Sequence, residues 1–552
     1  MTVELFTQTS HDIGMSNPLQ TIPEFLAATV ASAPDRQAYA SILDGELSWR
    51  TWAEIDADVQ KLARAMLTAG ITNGDRVVQV APNCYEWIVT DLAIHVIGAV
   101  HVPMHTSLAG AQIVDQSADC GAKLAFLSDE VFEKVAGNID SDLKAVYYGN
   151  PANAEQTQEN NATVSLEQFL NNANNDLQPN PPQADDLATL LYTSGTTGRP
   201  RGVMLSHSNI VTNTIATAEA VEFSQSDRRL CFLPLSHIYA RTCDLYSWLY
   251  LGSEFVMAES RETIIRDCQI AQPDIINGVP YFYQKIARLE GLRDLLGGKI
   301  RCCFCGGAAL DPETEKLLAD QGLAIFPGYG LTESSPVISL SNFANYRPGT
   351  VGRTIADVEV RIDESGEILA RGPNIMQGYW QNEAATAEAI VDGWLRTGDL
   401  GEYDESGNLR ILGRQKEIIV LMTGKNVSPT NVEQRLTSSA LIENACVVGD
   451  DRKCLAALIV PNEGMLDGVL QDRQIQLEAD TDIYNSPQVA DIYQQEIDRV
   501  LTDVSHEEQV GLFVLLKRPF TQEEGELTAK LSLRRKAIEA NFASEIEAVY
   551  DI

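Results

Sequence analysis

The sequence predicts an α/β protein with a large N-terminal domain of helix-flanked sheets, a small β-rich subdomain and a smaller α/β C-terminal domain. Its 552 residues, 44% of them hydrophobic, exceed one compact domain and suffice for large buried cores. Helical and strand-like segments alternate up to about residue 340, a pattern typical of sheets covered by helices. After Asp363 the pattern changes to short strands separated by turns at residues 364–366 and 405–407.

The first clear helix and strand are predicted between residues 51 and 80. Thr51 and Glu54 have the spacing of a capping box at a helix start, and Gly70 marks the helix end. The apolar positions that share one face of this helix are Ile55, Val59, Leu62, Ala63 and Met66. Arg76–Val80 then predicts a strand.

Residues 87–102 are the best candidate for a membrane span, but their pattern argues against one. Asp91, His95 and His101 interrupt the apolar stretch, and Pro103 ends it. The pattern therefore predicts a buried helix that passes into a strand. The sequence shows no basic amphipathic helix, although peripheral contact with a membrane that supplies an apolar substrate stays open.

Charge and cysteine usage limit the classes of partner and compartment. The formal net charge of −36 would repel phosphates, which excludes nucleic acid as a partner. Whether the acidity suits a salty cytosol or only favours solubility stays open. The ten cysteines are scattered, and residues 1–5 lack the basic and apolar regions of a secretory signal. We therefore expect a cytoplasmic protein with free thiols.

One cysteine pair has the spacing of a metal site. Cys302 and Cys305 form a CxxC, but no second pair lies nearby in the sequence. Their apolar flanks predict a strand that runs into Gly306 instead. His207, among the residues at 206–209 that offer helix caps, is interpreted as a cap rather than as a ligand.

Residues 192–203 form the most informative stretch of the chain. Three glycines and four hydroxyls follow the apolar stretch 187–191, and basic residues come directly after them. Glycines let successive N–H groups face one anion, and hydroxyls add donors without bulk, so the stretch suits a polyphosphate. A flexible surface turn is the alternative. The flanks favour a strand–loop–helix phosphate site, although the GxxxxGK[ST] spacing of the P-loop is absent.

This loop resembles the nucleotide loop of the adenylate-forming (AMP-binding) superfamily, which includes acyl-CoA synthetases, luciferases and adenylation domains of peptide synthetases. The resemblance extends from about Asn17 to Lys536, and further motifs follow in the family's order. These motifs occupy residues 233–241, 306–310, 329–333, 366–368 with 371–373, 397–399 and 413–417. The motif at 233–241 resembles the substrate-pocket motif of the long-chain acyl-CoA synthetase branch.

The resemblance implies roles for the motif residues. The phosphates of ATP would be held by Thr193, Ser194, Gly195, Thr196, Thr197 and Gly198, and Arg201 stands where the family usually has lysine. The adenine side would be formed by Gly306, Gly307, Ala308, Tyr329 and Gly330. Asp399 would accept hydrogen bonds from the ribose hydroxyls and Arg414 would donate to them. Glu333, with help from Thr193, would ligate Mg²⁺, and Thr332 would contact the α-phosphate.

His237 would shape the acyl end of the site and help to position the attack by coenzyme A. Taken singly, Glu333 could be a solvated carboxylate, Asp399 a turn residue and His237 a core histidine. The shared order of the motifs favours the functional interpretation.

The C-terminal segment departs from the family pattern. The position of the family's catalytic lysine is Ser532 in this chain, and Lys530 is the expected substitute because alternate residues of an extended segment point the same way. The resemblance also implies an N-terminal AMP- and acyl-binding domain at 1–415 and a mobile C-terminal domain at 416–552. Lys416 would be the hinge, and Gly424 and Lys425 would face coenzyme A.

The expected activity is therefore that of an AMP-forming fatty-acid–CoA ligase with ATP, Mg²⁺ and coenzyme A, acting on medium- or long-chain acids. Two alternatives stay open: a ligase that passes the acyl group to another acceptor, and a degenerate nucleotide- or acyl-binding regulator. Chain length and oligomeric state are not specified by the sequence.

Overall fold

Two large sheets, each flanked by helices, make up most of the N-terminal part of the protein. The computed structural model describes residues 19–135, 143–149, 163–193, 200–475, 482–528 and 533–550. In these residues the eight-stranded sheet has the spatial order Gly378–Tyr379, Arg201–Ser206, Leu187–Thr193, Val100–Pro103, Arg76–Val80, Leu124–Leu127, Lys144–Tyr147 and Thr163–Ser165. The nine-stranded sheet has the order Arg353–Thr354, Val337–Leu340, Ile325–Gly330, Cys302–Cys305, Ile275–Gly278, Arg228–Cys231, Glu254–Met257, Gln37–Leu43 and Glu46–Thr51.

Helices connect and cover these strands. Before residue 253 the α-helices are Ile22–Ser32, Trp52–Thr68, Tyr85–Val96, Gly110–Asp119, Asp129–Val135, Leu166–Asn171, His207–Ala220, Ile238–Ala240 and Ser247–Leu251, with a π-helix at Arg241–Tyr246. Those that follow, up to residue 390, are Ile264–Ala271, Pro280–Ile286, Leu292–Leu295, Pro312–Asp320 and Glu383–Ala389. The strands from Leu187–Thr193 to Thr163–Ser165 in one sheet, and from Ile325–Gly330 to Gln37–Leu43 in the other, pair in parallel, so the predicted α/β class is confirmed.

The remaining sheets are smaller and mostly antiparallel. The five-stranded sheet contains Glu359–Ile362, Glu367–Arg371, Trp394–Tyr403, Ile390–Val391 and Leu409–Arg414, which confirms the β-rich part expected after Asp363. Beyond it lie the hairpin Ile419–Val420 with Asn426–Val427 and the sheet Ile442–Val448, Leu455–Pro461 and Val510–Leu515. The helices here are Pro429–Ser438, Glu463–Asp472, Pro487–Val500, Arg535–Asn541 and Ala543–Tyr550. This part has an apolar cluster of its own, but the boundary at 415/416 stays a prediction.

Several local predictions are confirmed. Thr51 caps the helix Trp52–Thr68 by accepting a hydrogen bond from the Glu54 amide. Residues 87–102 form the buried end of helix Tyr85–Val96 followed by strand Val100–Pro103. Among the described residues, no helix is both long and apolar enough to cross a bilayer. Cys302–Cys305 is a buried strand with free thiols.

Two local predictions are wrong. Arg201–Ser206 is a strand that pairs antiparallel with Leu187–Thr193, so a second strand, and not a helix, follows the predicted phosphate loop. The cap of the following helix is Ser206, whose hydroxyl accepts from the Asn209 amide, whereas His207 is buried in the first helical turn.

The last residue of the motif at 233–241 lies in the core. The Arg241 side chain is fully buried and contacts Asp91 at 2.8 Å, His101 at 3.1 Å and His95 at 3.4 Å. Its partner Tyr246 also donates to Asp91 at 3.1 Å. The charge of Arg241 is therefore compensated by a carboxylate inside the fold, and the acyl-pocket role of the motif stays a prediction.

The three residues Asp91, His95 and His101 lie close enough to share a metal ion. The Arg241 guanidinium already occupies the centre of this group, and a second cation there would be repelled. Burial lowers the pKa of His95, and it lowers the pKa of His101 to about 3. Both rings are therefore neutral at pH 7, and the cluster is a structural ion pair.

Acid should destabilise the N-terminal part, because unfolding lets buried histidines take up protons. His101 has a folded pKa of about 3. The pKa of this histidine in the unfolded chain is about 6.5. The stability that the neutral, buried His101 provides is therefore complete above that pH and is lost as the pH falls from there towards the folded pKa. Between pH 7 and pH 5 the free energy of unfolding should fall by about 2 kcal/mol for His101 alone. Urea unfolding followed by tryptophan fluorescence measures this, since all six tryptophans precede residue 395.

The exposed His506 provides the control for this titration. His506→Gln should keep the acid sensitivity of the original protein, and His101→Asn should reduce it. Full acid sensitivity in His101→Asn would contradict the assignment.

Candidate functional site

The predicted phosphate loop connects the two strands of a hairpin. Thr193 ends one strand and lies opposite Arg201, which begins the other. The Thr193 hydroxyl donates to the Arg201 carbonyl at 3.5 Å. The residues predicted to hold the phosphates, Ser194, Gly195, Thr196, Thr197 and Gly198, lie outside the described residues, so their role stays a prediction.

Thr332 and Glu333 lie in a tight turn that follows the strand Ile325–Gly330. A Cβ atom on Gly330 would lie 1.8 Å from the Pro336 carbonyl oxygen, so the backbone can turn back here only with glycine. The Leu331 amide donates to the same carbonyl at 3.1 Å. We call residues 331–337 the Glu333 turn.

Two residues of the predicted phosphate side, Glu333 and Arg201, contact Tyr379. Its hydroxyl donates to Glu333 Oε1 at 2.9 Å. The Arg201 guanidinium lies 5.3 Å from the centre of the Tyr379 ring, within the range of a cation–π contact. The structure thus brings Thr193, Arg201 and Glu333 together. The motif analysis missed Tyr379, although Gly378 and Tyr379 follow shortly after the motif at 371–373.

The residues predicted to bind the ribose form an ion pair across two strands. Asp399 and Arg414 are register partners, with Arg414 Nε 3.0 Å from Asp399 Oδ1. The Tyr329 hydroxyl donates to Asp399 Oδ2 at 2.8 Å. Burial raises the pKa of Asp399, while Arg414 and the Tyr329 hydroxyl oppose that rise. Asp399 is 6% exposed and Arg414 is 53% exposed, so the buried acceptor is held beside a donor that reaches solvent.

Tyr329 and Glu333, one from each predicted side, lie on consecutive elements of one continuous segment. The Glu333 charge also acts on the Asp399 carboxyl, where it raises the pKa. One end of the arrangement offers a carboxylate and a guanidinium to a diol. The other end offers the Glu333 carboxylate, the Thr193 hydroxyl and the Arg201 guanidinium to the predicted phosphates. A carboxylate and a hydroxyl are hard oxygen ligands, so Glu333 and Thr193 fit Mg²⁺ held between protein and phosphate oxygens.

The adenine-side residues lie at the end of strand Cys302–Cys305. A Cβ on Gly306 would lie 2.9 Å from the Tyr239 ring, so an aromatic face packs directly on this backbone. Gly307 and Ala308 are exposed. This arrangement leaves backbone accessible at the predicted adenine position, and the assignment of these residues to adenine stays a prediction.

His237 lies next to a second histidine, His105, that the motif analysis missed. The rings of His237 and His105 are 5.7 Å apart. Burial and the charge of Arg261 lower the pKa of His105 to about 4, so this ring is neutral at pH 7. His105 follows the strand Val100–Pro103, and the carboxyl end of a parallel strand is the one signal that could have found it.

Lys530 and Ser532 lie outside the described residues, but the base of their loop is described. Leu527 and Leu533 form an isolated antiparallel bridge. The fully buried Glu526 carboxylate accepts from Arg518 at 2.6 Å and from the Thr521 amide at 3.0 Å. These contacts hold the described residues on either side of Lys530 and Ser532: Glu526 and Leu527 before them and Leu533 after them. Whether Lys530 acts in place of the family's lysine stays a prediction.

The predicted hinge and the residues expected to face coenzyme A follow Arg414 in the chain. Lys416 is exposed in the single turn Gln415–Glu417. Gly424 and Lys425 lie in the turn between the strands Ile419–Val420 and Asn426–Val427. The Lys425 ammonium lies 3.9 Å from a Glu507 carboxylate oxygen, so it has an exposed ionic partner. Both roles stay predictions.

Comparison with known proteins identifies the family. The sequence model described as AMP-binding enzyme matches residues 26–380, and that of the AMP-binding enzyme C-terminal domain matches residues 416–552. A long-chain-fatty-acid–CoA ligase of Mycobacterium bovis is 31% identical over 94% of this chain and 95% of its own length. A feruloyl-CoA synthase of Amycolatopsis sp. is 30% identical over 75% of this chain and 84% of its own.

Solved structures agree in fold. The crystal structure of an anthranilate CoA ligase in complex with anthranoyl-AMP has a TM-score of 0.81 at 19% identity, covering 96% of this chain and 99% of that one. The chain therefore belongs to the AMP-binding enzyme family, in the acyl-CoA synthetase branch of the adenylate-forming superfamily.

Asp399→Asn should weaken AMP binding by about 10- to 100-fold, the effect of losing a charged hydrogen-bond acceptor worth about 1.5–3 kcal/mol. Isothermal titration with AMP measures the affinity. Glu402→Gln is the matched control, because Glu402 pairs with Arg410 at 3.2 Å across the same two strands and is exposed. Equal losses in both variants would contradict the ribose assignment.

Proposed function

We propose that this enzyme activates a medium- or long-chain fatty acid with ATP to an acyl-adenylate and then transfers the acyl group to coenzyme A. The observation that carries the proposal is the pairing of two groups on one segment: Tyr329 with Asp399 and Arg414, and Glu333 with Tyr379 and Arg201. The first group suits a diol and the second suits a polyphosphate, and a ribonucleoside triphosphate carries both.

In the first half-reaction, a carboxylate oxygen of the acid attacks the α-phosphorus of ATP. A new P–O bond forms as the bond to pyrophosphate breaks. Asp399 accepts from the ribose hydroxyls and Arg414 donates to them, which fixes the nucleotide at one end. Arg201 and the hairpin loop hold the phosphates at the other end, and Thr332 contacts the α-phosphate. Glu333 and Thr193 would hold Mg²⁺, which when bound would supply positive charge to offset that of the phosphates.

In the second half-reaction, the thiol sulfur of coenzyme A attacks the acyl carbon. A thioester bond forms, and the bond between the acyl carbon and AMP breaks. His237 lies at the acyl end and positions this attack. The C-terminal part pivots at Lys416, so that the Lys530 loop serves the first half-reaction and Gly424 with Lys425 serve the second. The 416–552 match to a separate C-terminal family domain supports this division.

The choice of a fatty acid rests on the relatives and on the pocket motif. The Mycobacterium bovis relative named for long-chain fatty acids aligns with nearly the whole chain, whereas the feruloyl-CoA synthase aligns over three quarters of it. The ten thiols are free and their pKa values, where shifted, are raised by burial, which suits a reducing cytoplasm with ATP and coenzyme A. Peripheral contact with a membrane as the source of acid is part of the same proposal.

A panel of acids tests the substrate. AMP release is measured with fatty acids of increasing chain length and with ferulate, each with and without coenzyme A. The proposal expects the highest kcat/KM for a medium- or long-chain acid and turnover that depends on coenzyme A. Preference for ferulate would overturn the fatty-acid assignment. Release of pyrophosphate without any dependence on coenzyme A would indicate another acceptor, and no release with any acid would indicate a binding protein.

Lys530→Ala should slow adenylation by about a hundredfold or more, because its ammonium would bridge the attacking carboxylate and the α-phosphate. Thioester formation from preformed acyl-adenylate should change less, since the ammonium serves only the first half-reaction. Lys536→Ala is the control, because Lys536 is exposed on the helix Arg535–Asn541. Pyrophosphate exchange into ATP and acyl transfer are measured separately. Full exchange in Lys530→Ala together with loss in Lys536→Ala would show that another lysine is used.

A further inference from the structure

Residues 374–380, which we call the strap, connect the phosphate hairpin to the Glu333 turn. At one end the Trp380 amide donates to the Gly202 carbonyl at 2.7 Å, which joins the strap to the hairpin strand. In its middle the Met376 amide donates to the Glu333 carbonyl at 2.9 Å. The strap is therefore bonded to the two elements that carry the phosphate-side residues.

The strap also fixes the far side of the Glu333 turn. Asn374 is 1% exposed, and its side-chain amide donates to the Ser334 carbonyl at 2.9 Å and to the Val337 carbonyl at 3.1 Å. The Ser335 hydroxyl donates back to the Asn374 carbonyl at 2.8 Å. Because these groups are buried, breaking any of them would leave an unpaired polar atom. The backbone of Glu333 is thus held in one position.

Tyr379 extends this restraint to the Glu333 side chain. Tyr379 is 9% exposed, and its hydroxyl donates to Glu333 Oε1 at 2.9 Å. A tyrosine hydroxyl carries one proton to donate, and a carboxylate can only accept it. Because one of its oxygens is bound in this way, the Glu333 carboxylate cannot rotate freely about the Cγ–Cδ bond.

We propose that Tyr379 is a positioning residue that orients the Glu333 carboxylate for the divalent cation of the nucleotide and, through its ring, places Arg201 beside the phosphates. The inference rests on the proposed function and extends it to a residue that the motifs do not include. Hydrogen-bond partners behind a metal ligand fix its orientation, and removing one typically costs about 10- to 100-fold in metal affinity or activity.

The same contact accounts for arginine at position 201. A planar guanidinium stacks on an aromatic face, whereas an ammonium is a strongly hydrated point charge. With the Arg201 guanidinium 5.3 Å from the ring centre, the Tyr379 ring supplies a surface that favours arginine over the usual lysine. Arg201 and Tyr379 therefore act as a pair.

Tyr379→Phe tests the inference because it removes only the hydroxyl. Tyr346→Phe is the matched control, since the Tyr346 hydroxyl donates at 2.7 Å to Glu315 Oε1, a carboxylate with no predicted role in the site. The first measurement is the rise in melting temperature caused by Mg²⁺ in the presence of α,β-methylene-ATP, which binds but cannot be adenylated. The second is the Mg²⁺ concentration that gives half-maximal pyrophosphate exchange.

Tyr379→Phe should need about tenfold more Mg²⁺ in both measurements, and Tyr346→Phe should match the original protein. Without nucleotide, the two variants should lose similar amounts of stability. In a double variant, Tyr379→Phe should add little to the effect of Glu333→Gln, because the two residues act through one contact.

Unchanged Mg²⁺ dependence in Tyr379→Phe would overturn the inference and leave the proposed function standing. Absence of any Mg²⁺-dependent stabilisation in the original protein would instead overturn the proposed function. If Tyr379→Phe fails to fold, Arg201→Lys decides the question: the inference expects weaker binding of the ATP analogue, and unchanged binding contradicts the pairing.

Discussion

The site depends on the tight return of the chain after the strand Ile325–Gly330. Gly330 passes so close to the Pro336 carbonyl that no side chain fits there, and the return places Glu333 beside Tyr379 while Tyr329 remains on the strand beside Asp399. A wider turn would separate the two ends of the nucleotide site. The constraint is therefore steric: the path of the backbone fixes the positions from which the charged side chains extend.

Three separate sheets supply the parts that meet at this turn. The eight-stranded sheet supplies the hairpin with Arg201, the nine-stranded sheet supplies Tyr329, and the five-stranded sheet supplies Asp399 and Arg414. The turn is also fixed from behind: the Thr242 hydroxyl donates to the Ser335 carbonyl at 2.9 Å. Thr242 follows Arg241, so the buried ion pair with Asp91 supports the π-helix that reaches the site. The buried ion pair between Arg241 and Asp91 is in this way connected with the position of the Glu333 turn.

Sequence patterns predicted the structural features that depend on residues close together in the chain. The capping box at Thr51 and Glu54 and the buried strand Cys302–Cys305 are local features, and both are confirmed. The motif order also identified the family. Contacts between distant residues could not be predicted in this way. Arg241 is buried because Asp91 lies opposite it in space, and the importance of Tyr379 arises only when its strand pairs with the hairpin. No periodicity or spacing reports such pairings, since each partner alone resembles an ordinary surface or core residue.

The central claim is that one segment serves two chemically different ends of a single nucleotide site. Isothermal titration of Glu333→Gln tests it most directly, with AMP and with Mg²⁺ plus α,β-methylene-ATP as the two ligands. AMP lacks the β- and γ-phosphates, so its affinity should stay within about twofold, whereas affinity for the magnesium-bound analogue should fall by about tenfold or more. Equal loss for both ligands would contradict the account, because Glu333 would then support the ribose end as much as the phosphate end.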